Sequence, residues 1–266
     1  MCAVLLLLQF ATAAAQTVNH VSADEPSPRS DQNSITAHKE LLEKARKGHI
    51  KIYFLGDSIT RRWGTSDKQY KHFLANWRRN FFGWNAANFG WGGDTTQNIL
   101  WRLNNGELDN VNPKIIVLLA GTNNIGNKSP QGSDDPRVDD IPRGIKAILD
   151  LCGQKAPRAT IILMAIFPRN DNMAVMPIIN EINERISKFA DATKIRFLNI
   201  NDKLADKDGK LFDGMTVPDK LHLDLNAYQV WADALKPIFT ELLGRPAKED
   251  HAPPPTGDPS AKKPAG

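Results

Sequence analysis

Cysteine is nearly missing from this chain, with two in 266 residues, and that excludes a disulfide-stapled scaffold. Cys2 lies in an apolar N-terminal run. If that run is removed, Cys152 stands alone and no intramolecular disulfide can form. Cys152 follows Ile148, Leu149 and Leu151 in an apolar helical pattern, which makes it a buried structural thiol. With no glycine turn or histidine beside it in sequence, it is not a catalytic cysteine. Histidine is also sparse, and the scattered His20, His38, His49, His72 and His251 form no metal-ligand spacing. No metal site and no cofactor are expected. Charge of one sign does not cluster: the net charge is +4, and no basic stripe interleaved with aromatics appears, so nucleic acid is excluded as a partner. There is no internal repeat. The longest apolar stretch, within residues 1–15, falls short of the ~20 residues a membrane span needs.

That stretch has the character of a secretory signal peptide. Residues 4–10 form the apolar centre, and Ala13, Ala14 and Ala15 supply small residues before a cut near Ala15. The expected location is secreted or periplasmic, and an exported protein without disulfides points to a bacterial source. Residues 16–34 are polar, with Pro26 and Pro28, and are expected to be a linker. Residues 245–266 are rich in Pro, Lys, Ala and Gly and are expected to be disordered. One folded domain over 35–244 is left. The sequence leaves its oligomeric state open and is compatible with a homodimer.

Within the domain, strands and helices alternate. Apolar runs at 52–55, 87–90, 115–120, 160–166 and 195–200 are continuous rather than alternating, as in strands covered on both faces. Helical periodicity fills the intervals, as with Ile145, Ile148, Leu149 and Cys152, or Tyr228, Trp231, Leu235 and Ile238. The pattern predicts an α/β fold, a three-layer α/β/α sandwich around a five-stranded parallel sheet of flavodoxin-like type. In such open sheets ligands bind outside the carboxyl ends of the strands. Three strands end there in Gly56-Asp57-Ser58, Gly90-Trp91-Gly92-Gly93 and Gly121-Thr122-Asn123-Asn124.

Each turn carries two readings. Ser58 on a sharp strand-to-helix exit suits a nucleophile, while Asp57 or Ser58 as a plain helix cap explains Gly-Asp-Ser about as well. Thr60 stands where a Gly-x-Ser-x-Gly elbow needs its last glycine, which disfavours an ordinary α/β-hydrolase. Gly92 and Gly93 let a backbone N–H approach a substrate oxygen, or simply turn the chain into a helix capped by Asp94 or Thr95. Asn123 offers an amide donor or an Asx turn. Near the C-terminus, Asp219 and His222 lie three residues apart, so Asp219 can reach Nδ1 while Nε2 faces a serine. Trp63 and Trp91, beside the glycine turns, are candidates for lining a substrate pocket. Arg61 and Arg62 read as a solvated face.

Four segments, taken in order, resemble the SGNH (GDSL-type) hydrolase superfamily over residues 51–243. Within it, Gly92-Gly93-Asp94-Thr95-Thr96, Leu100-Trp101-Arg102-Leu103 and Asn105-Gly106-Glu107-Leu108 look most like the catalytic subunits of platelet-activating factor acetylhydrolase Ib and their bacterial relatives. The resemblance implies Ser58 as nucleophile, His222 as general base and Asp219 as its orienting carboxylate. It implies an oxyanion hole from the Ser58 N–H, the Gly93 N–H and the Asn123 side chain, and ester hydrolysis without a cofactor. The first motif reads Gly-Asp-Ser-Ile rather than Gly-Asp-Ser-Leu. The expected activity is a secreted serine carboxylic-ester hydrolase acting on short acyl esters of a small molecule or carbohydrate. The alternatives are a lipid or lysophospholipid acetylhydrolase and a silent glycan-binding module on the same fold.

Overall fold

A computed structural model describes residues 21–130, 132, 134–191 and 193–261. The expected signal segment, 1–15, lies outside the described residues. The elements begin with α1 (Gln32–Arg46), β1 (Ile52–Gly56), α2 (Ser58–Trp63), α3 (Lys71–Phe81) and β2 (Ala86–Asn88). They continue through α4 (Thr96–Arg102), β3 (Ile115–Leu119), α5 (Thr122–Ile125), α6 (Arg137–Lys155) and β4 (Thr160–Met164). The chain then forms α7 (Met176–Ser187), β5 (Ile195–Leu198), α8 (Asn201–Leu204) and α9 (Leu225–Leu243). The five strands are parallel in the order β2-β1-β3-β4-β5.

The continuous apolar strands follow from two cores, one on each face. Tyr53 and Leu55 of β1, with Ile116 and Leu118 of β3, point into a core closed by Leu41, Ile99, Ile145, Ile148 and Ile179. The alternate residues Ile52, Phe54, Val117 and Leu119 face an aromatic core of Trp63, Phe73, Trp77, Tyr228, Trp231 and Phe239. A strand packed on both faces has no polar side, which is why no alternation is visible in its sequence. Cys152 sits in the first core, and burial pushes its thiol up to about 12. Among the described residues no helix is long and apolar enough to cross a membrane.

Chain order places the site. From β1 the chain goes to β2 on one side and later to β3 on the other. The crevice over the carboxyl ends at this reversal is where open α/β sheets bind ligands. The segments after β1, β2 and β3 all open into it.

The tail expected to be disordered is ordered against the domain over residues 245–261. Asp250 accepts from the Gly83 N–H at 2.6 Å, Thr65 Oγ1 donates to the Thr256 carbonyl at 3.1 Å, and Asp67 accepts from the Asp258 N–H at 2.6 Å. The Ala247 N–H donates to the Gly83 carbonyl at 2.9 Å. Residues 247–258 thus run from the chain leading into edge strand β2 to the segment that follows α2, satisfied mostly by backbone bonds and short acidic side chains. The linker packs as well: Ala23 is fully buried, and its carbonyl accepts from Thr96 Oγ1 at 2.7 Å.

Candidate active site

Ser58 is the first residue of α2. Asp57 caps the helix, its Oδ1 accepting from the Ile59 N–H at 2.9 Å. Gly56 is required by close approach: a Cβ there would lie 2.3 Å from Thr60 Oγ1 and 2.4 Å from the Leu119 carbonyl. The exit from β1 can therefore turn sharply and leave Ser58 half-buried at the rim while Asp57 is sealed beneath it. Burial pushes the Asp57 carboxyl up to about 7, against the pull of its bond to the Ile59 N–H. Asp57 thus serves as the helix cap, and the Ser58 hydroxyl is not spent on capping.

Residues 217–222 form a tight loop before α9. The Lys220 N–H donates to the Val217 carbonyl at 2.9 Å, and Lys220 takes the left-handed region with φ 59°. Asp219 is divided between two tasks. Its Oδ1 accepts from the N–H groups of Leu221 (3.0 Å) and His222 (2.9 Å), and its Oδ2 meets His222 Nδ1 at 2.8 Å. His222 Nε2 lies 2.8 Å from Ser58 Oγ. With its Nδ1–H donated to the carboxylate, the imidazole presents the Nε2 lone pair to the serine hydroxyl. Two segments 164 positions apart thus form one hydrogen-bonded chain.

The electrostatics favour that protonation pattern. Burial opposes charge on Asp219, but the His222 and Leu221 N–H donors and then the imidazole bring its carboxyl down to about 2. Burial also holds His222 below its ordinary value, and the Arg62 guanidinium adds to this against the opposing pull of Asp219. The imidazole is therefore neutral, and able to accept a proton, near neutral pH.

Strand pairing draws the second turn to Ser58. Beyond β2 the Trp91 N–H donates to the Gly56 carbonyl at 3.0 Å, so the chain stays zipped to β1 until Gly92. A Cβ on Gly92 would lie 4.0 Å from that of Ser58. Gly93 takes φ +78°, a region costly for other residues. Asn123, in α5, donates through Nδ2 to the Asp94 carbonyl at 2.8 Å, leaving its second amide hydrogen for another acceptor. Beneath the turn, fully buried Asp94 meets Arg102 Nε at 2.7 Å, and Arg102 in turn pairs with Glu107.

Two predicted residues are not at the site. Trp63 is fully buried among Tyr228, Trp231, Phe81 and Trp77, and its Nε1 donates to Asn76 Oδ1 at 2.9 Å. It is core, because α2 turns this face onto α3 and α9. Trp91 is 7 % exposed; its Nε1 donates to Ser34 Oγ at 2.8 Å and the Arg61 guanidinium covers its ring. Helices α1 and α2 close over it, and it lines only a small cavity beside Arg61, Asn88 and Gly90 that does not include Ser58 or His222. Three arginines were not foreseen there. Arg62 Nη1 lies 3.3 Å from Asp219 Oδ2. Buried Arg169 donates to the Thr122 carbonyl at 3.2 Å and adds a weaker positive influence on His222. Arg29 reaches the Gly92 carbonyl. No motif marks any of them, since each acts across long sequence separation.

The chain is similar to known proteins across this region. Residues 54–230 match the GDSL-like lipase/acylhydrolase family model. The platelet-activating factor acetylhydrolase IB subunit alpha1 of Homo sapiens is 30% identical over 229 residues, covering 84% of this chain and 91% of the relative. A GDSL-like lipase from Bacteroides thetaiotaomicron has a similar fold (TM-score 0.61, 20% identity, 78% of this chain and 98% of that one). So does an acetylxylan esterase from Geobacillus stearothermophilus (TM-score 0.52, 15% identity, 76% of this chain and 97% of that one). From the family match over most of the folded chain and the similarity over nearly the whole of a curated relative, the chain belongs to the GDSL-like lipase/acylhydrolase family.

Proposed function

We propose that this protein is a serine carboxylic-ester hydrolase that cleaves short acyl esters through an acyl-enzyme. The observation that carries the reading is the unbroken relay Asp219 Oδ2–His222 Nδ1 and His222 Nε2–Ser58 Oγ, each link 2.8 Å. Ser58 Oγ attacks the ester carbonyl as His222 Nε2 takes its proton. The carbonyl π electrons move onto oxygen, and the Ser58 N–H, the Gly93 N–H and the free Asn123 amide hydrogen stabilise the oxyanion. The tetrahedral intermediate collapses, and the alkoxide leaves with the proton from His222. Water then attacks the acyl-Ser58 ester, again losing its proton to His222, and collapse returns the acid and free serine.

Asn123→Ala tests the oxyanion assignment. Turnover of p-nitrophenyl acetate is expected to fall by about 10²–10³, with the melting temperature nearly unchanged because Asn123 is only partly buried. Wild-type turnover in this variant would remove Asn123 from the hole.

Arg62→Ala tests the electrostatics. Only the neutral imidazole can accept the Ser58 proton, so kcat/KM falls as pH drops through the His222 pKa. Arg62 helps hold that pKa below the ordinary value. Its removal is expected to raise the pKa and move the acid limb of the kcat/KM profile to higher pH. A limb that stays put or moves lower contradicts this role.

The acyl group proposed is acetyl, on the similarity to the acetylhydrolase subunits. For the alcohol part, a cleft of about 730 Å³ is lined in part by Val217, Pro218 and Lys220 of the loop that carries Asp219 and His222. Asp206, Asp208, Lys210 and Asp213 line it beside the exposed Phe212 and the apolar Leu211 and Val217, so it offers a polyol both hydrogen-bonding groups and an apolar face. This supports an acetylated carbohydrate, the substrate expected of an exported enzyme. The same similarity favours a second reading, an acetylated lipid. Initial rates on acetylated xylan, acetylated sugars and acetyl-glycerolipids separate the two. The carbohydrate reading requires the higher kcat/KM on the sugars, and a preference for the lipid ester overturns it.

A further inference from the structure

Arg29 lies outside the residues that match the family model, in a segment whose composition reads as linker, yet it sits on the turn that carries Gly93. The segment is fastened on both sides of it. Upstream, the Ser27 N–H donates to the Gln97 carbonyl at 3.1 Å and Asn98 Nδ2 donates to the Ser27 carbonyl at 3.0 Å. Downstream, Asp31 caps α1 by accepting from the Ser34 N–H at 2.8 Å. Between these anchors, Arg29 Nη1 donates to the Gly92 carbonyl at 3.0 Å and stands 3.5 Å from the buried Asp94 Oδ1; Nη2 pairs with Asp31 Oδ2 at 3.0 Å. A Cβ on Gly93 would come within 3.1 Å of the same Nη1.

The Gly92 carbonyl and the Gly93 N–H belong to one trans peptide plane and point in opposite directions. A cation that fixes the carbonyl on one side therefore aims the N–H to the other. Among the described residues no hydrogen bond takes up the Gly93 N–H. A charge-assisted bond to the carbonyl also polarises the peptide and strengthens its N–H as a donor. We propose that Arg29 is a positioning residue of the reaction, which locks the Gly92–Gly93 peptide so that the Gly93 N–H meets the developing oxyanion. This rests on the reading of Gly93 as an oxyanion donor. The N-terminal segment is then a working part of the site.

The test compares Arg29→Ala and Arg29→Lys with wild type on p-nitrophenyl acetate, each with a melting temperature. Because the lost interaction matters in the transition state, Arg29→Ala is expected to lower kcat by about 10–100-fold, with KM within about threefold of wild type. Arg29→Lys, which keeps one donor for the Gly92 carbonyl, is expected to retain several times more kcat than the alanine variant. Millimolar guanidinium ions should partly restore kcat in Arg29→Ala and leave the wild type unchanged, a response that a purely structural staple would not give. A folded Arg29→Ala with wild-type kcat overturns the proposal, and so does a lower kcat that neither lysine nor guanidinium restores. If wild type itself is inactive, the ester-hydrolase reading fails instead.

Discussion

Replacing Ser58 by alanine is expected to lower turnover of p-nitrophenyl acetate by about 10⁴–10⁶-fold while the protein keeps its fold. Under the proposed mechanism the Ser58 oxygen forms the acyl bond, and it is the hydroxyl that His222 Nε2 meets, at 2.8 Å. Truncation removes the attacking atom and leaves the oxyanion donors in place, so a small residual rate from general base attack by water should persist. Stability should change little. Ser58 is half-buried, and the one side-chain bond it loses, to His222, is open to replacement by water. A circular dichroism melt within a few degrees of wild type, together with a near-silent kinetic trace, is the expected pair of results. A Ser58→Ala variant that turns over at the wild-type rate would mean that another group forms the acyl bond.

Asp219→Asn is expected to cost about 10⁴-fold in kcat, although the two side chains are nearly isosteric. Asp219 Oδ1 is committed to two backbone N–H donors, at 3.0 and 2.9 Å. An asparagine must therefore leave its oxygen there and turn its NH₂ group toward His222 Nδ1. Facing a donor, Nδ1 must become the acceptor, and the imidazole proton moves to Nε2. That nitrogen then points a hydrogen at Ser58 and cannot take one from it. The loop should survive, because its backbone bonds to the side-chain oxygen are kept. The diagnostic result is a large loss of kcat with little change in melting temperature. A loss of less than about tenfold would show that Asp219 does not set the tautomer.

The framework of the site is legible in the sequence for physical reasons. Strands buried on two faces have to be continuously apolar, so β1, β3 and β4 stand out. The strand ends have to turn sharply, and Gly56, Gly93 and Gly121 mark where the backbone is crowded or takes a positive φ. Asp219 and His222 are close in sequence, so their pairing can be read locally. What escaped was everything fixed by packing at long range. Trp63 lies on a helix of six residues, too short for periodicity to reveal which face is inward. Trp91 is covered by α1 and α2, a contact that composition cannot place. The 245–261 tail binds through backbone groups and acidic side chains such as Asp250, which accepts from the Gly83 N–H, and Asp258, which accepts from Asn33 Nδ2, and these leave no apolar pattern. Arg62 reads as a solvated helix face, yet it contacts Asp219 across 157 positions. The proposed chemistry rests on short motifs, whereas the arginines beside it are brought in by the fold.

The proposed mechanism stands or falls with Ser58 as the nucleophile. The most direct measurement is intact-protein mass spectrometry after reaction with an organophosphonate ester, followed by peptide mapping. With Ser58 as nucleophile, one adduct per chain is expected, on the peptide containing Gly56-Asp57-Ser58 and lost in Ser58→Ala. An unmodified protein, or an adduct on another residue, would contradict it.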